Sequence, residues 1–122
     1  MRLNDVIQRF TLISGLKPEQ VSVWTALCID ACEQIKRMVL PTVEINDTNR
    51  MRLANCAAAF AYYKFSFYAQ DADVRSFTAG SVNVNMAHTV MERAEKIWKQ
   101  ELADAADIIE TPSDFSFKGV RV

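Results

Sequence analysis

The chain has 122 residues, half of them hydrophobic and about a quarter charged, which is the composition of one globular domain and not of a disordered segment. Fourteen basic residues against fifteen acidic ones give a net charge of -1, so no overall cationic field exists to condense the chain on phosphates. The opening MRLNDVIQRFTLISGL is interrupted by Asp5, Gln8 and Arg9, unlike a signal peptide, and no apolar run has membrane-spanning length; a soluble intracellular protein is expected.

A first helix is predicted from Asn4 or Asp5, turning Val6, Ile7, Phe10 and Ile13 inward and closing at Gly15. Lys17, Pro18, Glu19 and Gln20 open the next, because proline suits a first helical turn and an acid beside it favours the positive end of the dipole. Val21, Trp24, Cys28, Ala31, Ile35 and Met38 follow at spacings of 3, 4, 3, 4 and 3, one apolar stripe that Pro41 ends. Asp47 or Thr48 is the expected N-cap of a third helix, from about Asn49 to Gln70.

That third helix, with LANCAAAFAYYKFSFYA at its heart, is apolar nearly all round. Such a helix is central to a bundle or covered by another subunit, and in so small a chain its aromatic end, including Phe65 and Tyr68, is expected to form an interface. Next, Phe77, Val82 and Val84 alternate with polar residues around Ala79 and Gly80, which predicts a short β element over 74–85. Asn85 is the expected cap of a last helix with a core stripe of Ala87, Val90 or Met91, Ala94, Ile97 or Trp98, Leu102, Ala105 and Ile109. Glu92 with Lys96, and Glu95 with Lys99, are acid-first pairs on its solvated face. Thr111, Pro112 and Ser113 break it, and Phe115, Phe117, Val120 and Val122 alternate along the tail, with Gly119 shifting the phase.

The expected fold is all-α: a bundle of about four helices spanning 1–111, with a short β element before the last helix, and an extended C-terminal arm over 112–122. No catalytic, cofactor-binding or metal-ligating residue is assigned. His88 stands alone, Cys28 and Cys32 lie one turn apart without a second pair, and Cys56 belongs to another helix, so thiols packed as small hydrophobes are the ordinary reading. Three glycines leave no phosphate-cradling loop, and Arg9, Lys36, Arg37, Arg50 and Arg52 read as scattered surface charge.

The order of these features resembles the small head–tail connector proteins of tailed phages and prophages. The likeness rests on the alanine-rich aromatic helix, the SFTAGSVNVN element, the long helix with AEKIWKQELADAADII and the FSFKGV tail. It implies a virion adaptor subunit in the head–tail neck, assembled in the bacterial cytoplasm as a homo-oligomeric ring under the portal protein. Its further implied partners are a stopper or tail-completion protein and double-stranded DNA, which would pass through the channel without sequence-specific binding. Phe77, Gly80, Val82 and Val84 would meet neighbouring subunits or the channel, and Phe115, Phe117 and Val120 would anchor the arm. The reading is non-enzymatic and involves no membrane. Its alternative is a helical regulatory or chaperone-like adaptor that binds a partner helix through the aromatic face of the third helix. An enzyme built around His88, or a helix-turn-helix DNA binder, would need a nucleophile–base pair or a basic reading face that the pattern lacks.

Overall fold

The computed structural model describes residues 1–76 and 81–110, with side-chain surroundings for 1–68 and 90–110. Its elements run α1 (Leu3–Ser14), α2 (Pro18–Val21), a 3-10 turn (Ser22–Trp24), α3 (Thr25–Met38), α4 (Asp47–Ser76) and α5 (Ser81–Asp104). α1 turns Val6 and Phe10 fully inward and stops at Gly15, whose φ of 71° only glycine adopts without strain. Its N–H donates to the Thr11 carbonyl at 3.0 Å, closing the helix as expected.

The second amphipathic stretch is divided. Pro18 opens α2, and the Lys17 N–H donates to Gln20 Oε1 at 2.9 Å. The Ser22 hydroxyl then donates to the Glu19 carbonyl at 2.9 Å, and Ser22–Trp24 tighten into a 3-10 turn. That turn advances side-chain phase by roughly 20° per residue relative to an α-helix. Val21, Cys28, Ala31, Ile35 and Met38 are nevertheless buried, so the stripe survives the division.

α3 ends at Met38 because Leu40 precedes Pro41, and the chain passes into extended backbone at Val39. There it makes a single antiparallel bridge, Val39 with Ile109. The Leu40 N–H donates to the Ile108 carbonyl at 3.0 Å, and the Glu110 N–H to the Met38 carbonyl at 2.7 Å. The cap of α4 is Asn46 and not Asp47 or Thr48: Asn46 Oδ1 accepts the Asn49 N–H at 2.8 Å. The Asn49 amide in turn reaches the Glu44 carbonyl at 2.8 Å, which orders the loop before the helix.

α4 is the axis of the bundle, packed against α1, α3 and α5. Ala54, Ala57, Ala58, Ala59 and Ala61 are all fully buried, and side chains this small let three helices approach one backbone. Over 53–62 every residue but Asn55 is buried, so here the sheath is complete within one chain; over 63–68 it opens, Ser66 alone staying buried.

α5 corrects the expected β element. The helix begins at Ser81, so Val82 and Val84 lie in helical backbone and Asn85 is inside the helix instead of capping it. Two valines spaced by one residue satisfy a strand period too briefly to outweigh helix-forming Met86 and Ala87 directly after them. Phe77 and Gly80 lie outside the described residues, as does 112–122, where the extended arm is expected. The other end of α5 is also earlier than expected. The helix stops at Asp104 and a turn closed by Ile108 N–H to the Ala105 carbonyl, 2.9 Å, buries Ala105, Ile108 and Ile109. Ala94 and Trp98 are the fully buried members of its stripe, and Lys99 and Glu95 pair at 3.7 Å on its outer side.

Candidate functional site: the aromatic end of the central helix

The aromatic half of α4 is organised around Phe65. Its ring takes an edge contact from Trp24 at 4.8 Å and another from Phe10 at 5.9 Å, and Tyr62 stacks on it at 5.9 Å. Edge-to-face pairs of this kind add ~0.5–1.5 kcal/mol beyond the area they bury. Phe65 therefore ties α1 and the 3-10 turn to α4 from a half-buried position. Tyr62 is held from the other side: Arg93 of α5 donates to its hydroxyl at 2.9 Å and to the Ile13 carbonyl at 3.1 Å. The guanidinium thereby satisfies a carbonyl at the negative end of α1 while linking three helices.

One step further along α4 the rings reach solvent. Tyr68 is 52% exposed and leans on Trp24 at 5.7 Å, and Phe67 is 42% exposed and edge-on to Tyr63 at 5.0 Å. Burial, with Glu95 adding to it, pushes the Tyr63 hydroxyl above its ordinary pKa, so it stays a neutral donor. Val23, 72% exposed, extends the apolar surface beside Trp24. Of the two α4 residues expected at an interface, Tyr68 presents free surface, whereas Phe65 is engaged largely within the chain. Val23 was absent from the expected site, yet its position off the Val21 and Trp24 stripe is the signal that an apolar side chain points outward there. Val82 and Val84 have helical backbone with side chains outside the described residues; Phe77, Gly80, Phe115, Phe117 and Val120 are outside them altogether.

The thiols are packing groups. Cys28 and Cys56 are fully buried, and desolvation pushes their pKa values up to about 11 and about 12. The Cys56 thiol donates to the Glu101 carbonyl at 3.3 Å. Among the described residues no group of three or more His, Cys, Asp or Glu residues could hold a metal ion, and no helix is long and apolar enough to cross a membrane.

Away from the aromatic surface, Arg52 of α4 clamps the chain beyond α5. It donates to the Asp104 carbonyl at 2.6 Å, to Asn49 Oδ1 at 3.0 Å, and to both carboxylate oxygens of Asp107. The hydrogen bond from Arg52 holds the Asp107 carboxyl below its ordinary pKa of 3.8. A depressed carboxyl pKa contributes stability that is present above the unfolded value and lost as pH falls through the folded one. Arg52→Ala is therefore expected to lower the melting temperature at pH 7, with the difference from wild type narrowing once pH drops below 3.8; thermal scans from pH 7 to pH 2.5 check it. A difference that stays constant over that range would assign the loss to packing instead.

No family model, no curated protein and no solved structure matches this chain.

Proposed function

We propose that the chain is a structural connector subunit of the head–tail neck of a tailed phage or prophage virion, forming a ring under the portal through which DNA passes. The observation that carries this reading is the uncovered aromatic end of the central helix, where Phe67 and Tyr68 remain 42% and 52% exposed while ten residues earlier the same helix is fully sheathed. A closed ring requires one surface of each subunit to meet a different surface of the next, and large aromatic side chains are favoured at the centre of such contacts. The resemblance carried by the alanine-rich aromatic helix and the long last helix supports the same assignment, and the near-neutral charge suits a channel along which DNA slides without being held. The neighbouring portal and the stopper or tail-completion protein are the partners that follow from it.

The test is mass in solution across a concentration series, by light scattering coupled to size exclusion, for wild type, for Phe67→Ser with Tyr68→Ser, and for the chain lacking 112–122. A closed oligomer that the serine pair dissolves, with helical circular dichroism retained, is the expected result, and the shortened chain reports whether residues 112–122 add to it. A monomer or dimer at every concentration would remove the self-assembling ring and favour the adaptor that takes a partner helix on the same aromatic surface.

A further inference from the structure

A second surface lies along α3, in a groove of about 140 Å³ lined by Met1, Leu3, Ile29 and Cys32 with Glu33 and Lys36. Leu3 and Ile29 are 38% and 46% exposed there, although both belong to helices whose inner faces are fully packed. We propose that this groove is the docking site of residues 111–122 of the same chain, with Phe115 or Phe117 as the inserted side chain. The inference goes beyond the connector reading and stands without it.

The argument is one of place, reach and chemistry. The described chain ends at Glu110, whose N–H donates to the Met38 carbonyl at 2.7 Å, so the segment starts from the C-terminal end of the helix that floors the groove. Ile29 lies nine residues back along α3, about 13 Å away at 1.5 Å per residue. Phe115 stands five residues beyond Glu110 and can reach up to ~17 Å, and Phe117 further still. The groove volume is close to the ~150 Å³ of an apolar cavity that accepts a benzene ring. At its rim Glu33 and Lys36 pair at 3.6 Å, and the segment carries Asp114 and Lys118 on either side of its two phenylalanines, able to complement both charges. Attachment through a short link gives an effective concentration near the millimolar range, which favours the chain's own segment over that of another copy.

The experiment uses the full chain with a thiol introduced by Ile29→Cys, alkylated by iodoacetamide under native conditions, with each site resolved by peptide mass spectrometry. Adding Phe115→Ser and Phe117→Ser is expected to speed labelling at position 29 several-fold, because it releases a segment held at an effective concentration near the millimolar range. Cys28 and Cys56, both fully buried, report whether the bundle stays folded in both proteins. Equal rates at position 29 would overturn the proposal. Protection that grows with protein concentration would also overturn it, by giving the groove to a second copy. The labelling comparison between the two proteins is made at the lowest concentration of the light-scattering series, so its outcome is separate from that of the ring.

Discussion

Trp98→Ala is expected to destabilise the protein by about 3–5 kcal/mol, the range for removing a large aromatic side chain from a packed core. Trp98 is 1% exposed and stacks at a tilt on Phe60 with ring centroids 5.0 Å apart, so it fastens α5 to the central helix. Because a domain of this size is stable by on the order of 5–15 kcal/mol, the variant would lose a large part of its margin. Urea unfolding followed by circular dichroism at 222 nm measures it. A change below about 1 kcal/mol would mean that α5 can repack over α4 without this residue, contrary to the close packing described.

Ala58→Leu is expected to cost about 1–3 kcal/mol for the opposite reason. Leucine and alanine are both strong helix formers, so intrinsic propensity changes little and the loss measures crowding. Ala58 is fully buried among four other fully buried alanines on the helix that α1, α3 and α5 all touch. Added carbons there must push a helix away from the axis. Ala103→Leu, at an exposed position of α5, is the control and is expected to stay within about 0.5 kcal/mol of wild type. If both substitutions were equally mild, the alanines would be filling space loosely and would not be setting the helix separation.

These two residues also show which parts of the fold a reader of the sequence can reach. The alanine run and its lack of a polar face announce a helix covered all round, by the bundle or by another subunit, and the 3-4 spacing of α3 announces its buried stripe, because both are local patterns. Gly15 after an apolar turn is equally local. What escaped was decided by partners distant in the chain or by small differences between neighbours. Asn46, one residue before the expected caps, won because its amide oxygen meets the Asn49 N–H. The bridge between Val39 and Ile109 joins segments 70 residues apart, and nothing in either segment names the other. Ser81–Asn85 misled through two valines, where the longer helical pattern that follows extends back over them. At the aromatic surface, composition flagged Tyr68, but whether Phe65 faced in or out depended on Trp24 and Phe10 arriving from other elements.

The joint formed by Met38, Val39 and Leu40 with Ile108, Ile109 and Glu110 bears on how the molecule carries mechanical load. A pull on the chain beyond Glu110 does not peel α5 from its end. The Glu110 N–H passes tension to the α3 terminus, and Arg52, bound to Asp104 and Asp107, passes it to the central helix. Force is thus divided between two helices before α5 feels it, and the short segment after Asp104 behaves as a strain-relief fitting at the edge of the bundle.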